Sequence, residues 1–219
     1  MILSNVRIQD ALDKGWLIIT PEPAPRRKTT ADIECPYQTT AIDLRLGNEI
    51  AYFKKVELAA NIDLRQGGFA SIFGPHSDSL IISESQPYRL KPQEFVLGKT
   101  LERVELPISK TGPCLAARIE GRSSYARCGM LVHFTAPTIH AGFAGTITLE
   151  ICNLGPLPIL LTPGAPICQL IIEKVDGIPF RNDSQFQGQS SAGGQRAHSS
   201  ALPAANRTKR KARRRSKRR

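Results

Sequence analysis

The chain has 219 residues and a formal charge of +11, a length that suits one well-buried domain with a short appendage. Ten of its 30 lysines and arginines fall in residues 207–219, RTKRKARRRSKRR, leaving 20 basic against 19 acidic side chains elsewhere. The body is therefore nearly neutral, and the charge is no ground for reading it as a nucleic-acid binder.

In chain order, Ser4 is placed to cap a short helix that carries Val6, Ile8, Ala11 and Leu12 toward a core and ends at Gly15. After it the helical period disappears. WLIITP, TTAIDLRLGNEIAYF, SLIIS, EFVLGKTLERVEL, CLAARIE, GMLVHFT, GTITLEICN, PILLT and ICQLIIEK are short apolar and β-branched runs separated by Gly, Pro and Asn. They predict an all-β chain, a jelly-roll or distorted barrel with a short N-terminal helix. Residues 189–206, QSSAGGQRAHSSALPAAN, read as a linker to a solvated basic tail, which is either a solubilising appendage or a polyanion tether. Cys35, Cys114, Cys128, Cys152 and Cys168 are odd in number and form no C-x-x-C pair, so reduced thiols are expected. No stretch is long and apolar enough to span a bilayer, MILSNVRIQD is not a signal peptide, and a soluble cytoplasmic protein is expected.

Within GTITLEICN, the apolar Ile147, Leu149 and Ile151 alternate with Thr146, Thr148, Glu150 and Cys152. A mid-strand carboxylate is costly to bury without partners, so Glu150 is either a functional group or an ordinary member of an exposed face.

The segment IEGRSSYARCGM gathers two arginines and two serines between apolar runs. Ser123 is expected to cap one helical turn that ends near Gly129, with Ser123 and Arg127 along one side and Arg122 at its start. Hydroxyls, amides and guanidiniums converging there suit a phosphate chain, although a capped turn with surface arginines is also commonplace. Neither G-x-x-x-x-G-K-[ST] nor a strand-following G-x-G-x-x-G is present.

Together AIDLRLGNEI, ARIEGRSSYARCGMLVHFTA, GFAGTITLEICNLGPLPILLTPGAPICQLIIE and QFQGQ resemble, in order, the dCTP deaminase branch of the dUTPase-like nucleotide enzymes. The resemblance implies a dUTPase-like barrel over residues 1–180, a nucleotide-covering arm at 181–190 and a disordered tail at 191–219. It implies a homotrimer with sites at subunit boundaries. Arg122, Ser123, Ser124 and Arg127 match the phosphate-holding motif, Glu150 the catalytic acid/base, and Thr148 and Leu149 positions beside base and sugar. Ala136 matches the backbone position that helps hold the attacking water. Phe180, Gln185 and Gln189 match contact positions in or near the arm.

The implied reaction is hydrolytic deamination of dCTP to dUTP and ammonia, supplying dUTP for thymidylate synthesis. One carboxylate can move both protons if burial raises its pKa toward neutrality, and Glu150 is the candidate. The zinc deaminase pattern, H-x-E with P-C-x-x-C, does not occur, so water activation without a metal is expected, helped by Ser123 and backbone carbonyls. Magnesium is expected on the triphosphate. Two positions depart from the family pattern: His140 replaces an aspartate near the sugar, and Gln185 replaces a lysine of the arm. His133 reads as a satisfied sheet residue, and His76 and His198 as loop positions. The competing readings are a bifunctional enzyme that also cleaves dUTP to dUMP, and a non-catalytic nucleotide-binding regulator.

Overall fold

The computed structural model describes residues 1–28, 34–54, 74–110, 112–181 and 187–193. Gln185 and the basic tail lie outside the described residues. Helix α1, Asn5–Asp13, is capped by Ser4, whose side chain accepts from the Arg7 amide at 3.4 Å. It buries Ile8 and Ala11 but not Val6, which is 67% exposed. Its apolar stripe is thus narrower than expected.

Among the described residues twelve strands follow: β1 Ile18–Thr20, β2 Ile42–Arg45, β3 Glu49–Phe53, β4 Ser77–Ile81, β5 Tyr88–Leu90, β6 Phe95–Glu105, β7 Leu115–Gly121, β8 Met130–Val132, β9 Thr138–Ile139, β10 Ala144–Asn153, β11 Ile159–Leu161 and β12 Pro166–Lys174. A one-turn helix, α2, covers Ser123–Ala126. One sheet has the order β4-β3-β6-β10-β8 with β1 also on β6, a second has β2-β12-β7-β9, and β5 pairs with β11. Neighbouring strands are antiparallel. The all-β expectation holds, with β5 and β9 added to the runs read from the sequence.

The two larger sheets contribute to one core: Ile42, Leu44, Ile119 and Leu170 from one meet Ile50, Val96, Ile147, Leu149 and Ile151 from the other. In β10 every second residue from Gly145 is buried, and the intervening face carries Ala144, Thr146, Thr148, Glu150 and Cys152. Between Thr146 and Thr148 the β6–β10 ladder slips at a bulge. The Ile147 amide released there donates to Thr100 Oγ1 at 2.9 Å, so the interruption leaves no orphaned donor. Leu149 is fully buried, and truncating it to alanine would cost roughly 2–5 kcal/mol.

One buried carboxylate ties the two sheets, and a second braces β2 within its own sheet. Glu102, fully buried, is held by the Arg45 side chain at 2.6 Å and the Arg45 amide at 2.9 Å, joining β6 to β2. Asp43, 3% exposed, accepts from Gln38 and Gln169 at 3.1 and 2.8 Å. Each carboxylate has the partners that make its burial tolerable.

Candidate functional site

Glu150 sits near the centre of the polar face of β10, opposite Leu97 of β6. On its other side β8 pairs with β10 over Met130–Val132, and the ladder ends with Val132 opposite Ile151. His133 then turns out of the ladder with φ +54°, a left-handed conformation uncommon for a side chain of this size. Its amide still donates to the Glu150 carbonyl at 2.8 Å. This brings His133 Nδ1 to 2.6 Å from Glu150 Oε2, out of line with the ring N–H.

Among the described residues, the buried side-chain polar atoms without a hydrogen-bond partner are His133 Nδ1 and Nε2, Thr148 Oγ1 and Glu150 Oε2. All belong to this one place. A fold normally satisfies such atoms, so their concentration marks a surface built for a polar guest. Two expectations are corrected here. His133 is not a satisfied sheet residue, because the left-handed turn takes it out of β8 and against the carboxylate. Nor is the Glu150 pKa raised: burial is the largest single influence and pushes it up, but the contact with His133 and its charge outweigh burial and hold it below the usual carboxylate range.

Thr148 shares the face of Glu150, whereas Leu149 points the other way into the core at 0% exposure. Only the backbone of Leu149 can meet a ligand. Ala136 is exposed in the loop that leaves His133 and enters β9. His140 is exposed at the end of β9, and its carbonyl accepts from the Phe143 amide at 3.1 Å.

The phosphate-type motif occupies the turn after β7. Arg122, not Ser123, takes the N-cap position and makes no side-chain cap bond. Ser123 is instead the first helical residue, and Ser123, Ser124 and Arg127 are exposed. The end of α2 is held close to the turn after β10: Gly129 has φ +87° with the Gly155 backbone where a Cβ would lie, and the Leu154 amide donates to Gly129 O at 2.8 Å. Arg122 is drawn toward β2, with Nη2 2.6 Å from Glu34 and 3.8 Å from the buried Asp43. Arg127 has no ion-pair or hydrogen-bond partner for its guanidinium among the described residues. No hydrogen bond or ion pair among them links Arg122, Ser123, Ser124 or Arg127 to Glu150.

Gln189 is 6% exposed and lies against the start of β10, where its side chain donates to the Thr146 carbonyl at 2.8 Å. The Thr146 amide in turn donates to Gln189 O at 3.1 Å. Ala192 is fully buried with Ala51 and Leu97, so the packed chain runs past residue 190, the boundary expected for the arm. Phe180 is 89% exposed and is held by none of these contacts.

Sequence reasoning missed His133 and Asp43. Asp43 carried the same mark as Glu150, a carboxylate inside an apolar run, here AIDLRL. His133 carried none, because its partner is fixed only by the pairing of β8 with β10.

Comparison with known proteins identifies the family of the chain. The chain is 40% identical over 175 residues to a protein of Dictyoglomus thermophilum named dCTP deaminase, dUMP-forming, covering 80% of this chain and 81% of that one. It is 37% identical over 195 residues to a protein of Natronomonas pharaonis named dCTP deaminase, covering 87% and 91%. The crystal structure of 2'-deoxycytidine 5'-triphosphate deaminase from Agrobacterium tumefaciens shares the fold, with a TM-score of 0.53 and 19% identity over 80% of this chain and 48% of that chain. Residues 2–175 match the family described as dCTP deaminase-like, and the chain belongs to that family.

Proposed function

We propose that this protein hydrolyses the 4-amino group of dCTP, giving dUTP and ammonia. The observation that carries the reading is Glu150, a half-buried carboxylate among unsatisfied polar atoms on the outward face of β10, in a chain of the dCTP deaminase-like family.

Held in its ionised form, Glu150 is suited to begin as a base. It removes a proton from water as the oxygen adds to C4 of cytosine, and passes that proton to the ring nitrogen N3. It then takes a proton from the new hydroxyl and delivers it to the amino group, which leaves as ammonia while the C4 carbonyl forms. Ser123 and the backbone at Ala136 orient the water. Thr148 and the backbone of Leu149 fix base and sugar, with His140 nearby. Arg122, Ser123, Ser124 and Arg127 hold the triphosphate, Gln185 and Gln189 belong to the covering arm, and Phe180 immediately precedes it.

The two groups of residues fall on different parts of the chain, which supports a homotrimer in which one subunit supplies the phosphate-holding turn and another the Glu150 strand. Magnesium would be carried by the triphosphate, its usual setting in nucleotide sites, and would there offset phosphate charge. Among the described residues no cluster of three or more His, Cys, Asp or Glu is arranged to ligate a metal directly, and the donor set of the turn is cationic and hydroxylic. The five cysteines are free thiols, which supports a cytoplasmic setting. The basic tail provides weak contact with polyanions.

A second reading is favoured by the relative from Dictyoglomus thermophilum, whose name includes dUMP formation. Under it dUTP would be cleaved further to dUMP and pyrophosphate. Turnover of dCTP with ammonia and pyrophosphate measured together decides between them: ammonia alone supports the proposal, equal yields support the second reading, and neither product from dCTP or dUTP removes both.

A further inference from the structure

Lys99 of β6 stands directly opposite Thr148, and Leu97 directly opposite Glu150. Residues opposed in an antiparallel pair share a face, so Lys99 and Leu97 lie on the Glu150 side of the sheet. The C-terminal segment 187–193 covers that same side. Ala192, fully buried, closes over Leu97 and Ala51, and the Gly188 amide donates to Ala144 O at 2.9 Å.

The seat is shaped for backbone. Gly145, on the other face of β10 from Glu150, lets the backbone of Gln189 come close to the strand: a Cβ there would lie within 2.9 Å of the Gln189 carbonyl. The charged element of the seat is Lys99. Its ammonium is 3.0 Å from Glu49 Oε2 of β3 and donates to the Ser190 carbonyl at 2.8 Å, with the two side chains only 18% and 16% exposed. A lysine with three donors can hold both partners at once.

We infer that Lys99 is a positioning residue that seats the C-terminal segment on the Glu150 face, with Glu49 orienting its ammonium. The inference rests on the reading of that face as the deamination site. Lys99 acts through the segment: it fixes where residues 187–193 pack against β6 and β10 beside Glu150.

The test uses the full chain, with amide hydrogen exchange followed over 187–193 and over β10 beside steady-state deamination of dCTP. Lys99→Met is expected to speed exchange in 187–193 about tenfold, to leave the core amides of β10 unchanged and to lower kcat/KM about tenfold, the effect of losing one charge-assisted bond. Lys99→Arg should restore most of both. Glu49→Gln keeps the shape of the seat and should move both readouts the same way by roughly threefold, which keeps the test open if Lys99→Met folds poorly. Unchanged exchange in 187–193 overturns the inference, and lost turnover without faster exchange overturns it in favour of direct nucleotide contact by Lys99. Faster exchange with undiminished deamination upholds the seat and contradicts the reading of this face as the reaction site.

Discussion

His133 Nδ1 lies 2.6 Å from Glu150 Oε2, and the residue that makes this approach is held at φ +54°. The left-handed turn and the contact are two sides of one arrangement. Leaving β8 in that conformation is what aims the imidazole across the strand pair at the carboxylate.

Removing the imidazole is therefore expected to reverse the shift at Glu150. Without His133, burial is the remaining large influence, and the pKa should rise above the ordinary glutamate value of ~4.3. The acid limb of the kcat/KM profile for dCTP should move to higher pH in His133→Asn. The stability effect follows the same sign. A depressed folded-state pKa stabilises the fold above the unfolded pKa, and this contribution is lost as pH falls through the folded value. Urea midpoints of the two proteins should differ above about pH 5 and converge in acid, and superimposable pH–rate profiles would show that the contact does not tune Glu150.

The two arginines of the GRSSYAR turn should differ in what they give up on binding. Arg122 already faces Glu34 at 2.6 Å, whereas Arg127 is exposed and has no charged partner among the described residues. Arg127→Ala should weaken dCTP binding by roughly 1.5–3 kcal/mol, with much less effect on deoxycytidine. Equal losses for nucleotide and nucleoside, measured by calorimetry, would contradict a phosphate role.

Much of the fold was legible because alternation in runs such as GTITLEICN reports a sheet with one buried face, and the buried positions of β10 follow that period. Thr138–Ile139 of β9 is too short to show any period, and Val6 fits the α1 pattern but faces solvent. Glu150 was legible as a carboxylate set in an apolar strand. Its electrostatic state was not, since that depends on a histidine brought alongside by strand pairing. The seat of the C-terminal segment was hidden for the same reason, because Gln189 and Thr146 are 43 residues apart in sequence. The cap at Ser123 was misplaced by one residue: Arg122 takes the extended conformation expected of a cap while lacking a side chain that can act as one.

The proposed division of the site between subunits makes a complementation result available. Glu150→Gln and Arg127→Ala should each be severely impaired alone, since each removes one half of every site. Co-expressed, they should form mixed trimers in which some boundaries join an intact phosphate turn to an intact Glu150, and measurable deamination should return. Mixed assemblies no more active than the parents would contradict the shared-site arrangement.

His140 bears on the fate of dUTP. Cleavage at the α-phosphate needs an acceptor to orient water near the sugar, and a neutral imidazole offers one acceptor nitrogen where a carboxylate offers two oxygens. The expected outcome is ammonia without matching pyrophosphate, and some pyrophosphate release in His140→Asp. Pyrophosphate in step with ammonia from the unaltered protein would establish the dUMP-forming reading instead.

The most direct measurement is ammonia release from dCTP by Glu150→Gln, paired with dCTP binding by the same variant. Glutamine keeps the size of the side chain but cannot carry the proton, so turnover should fall at least ~100-fold while binding persists. Turnover at the level of the unaltered protein would remove Glu150 from the reaction and with it the assignment of this face as the deamination site.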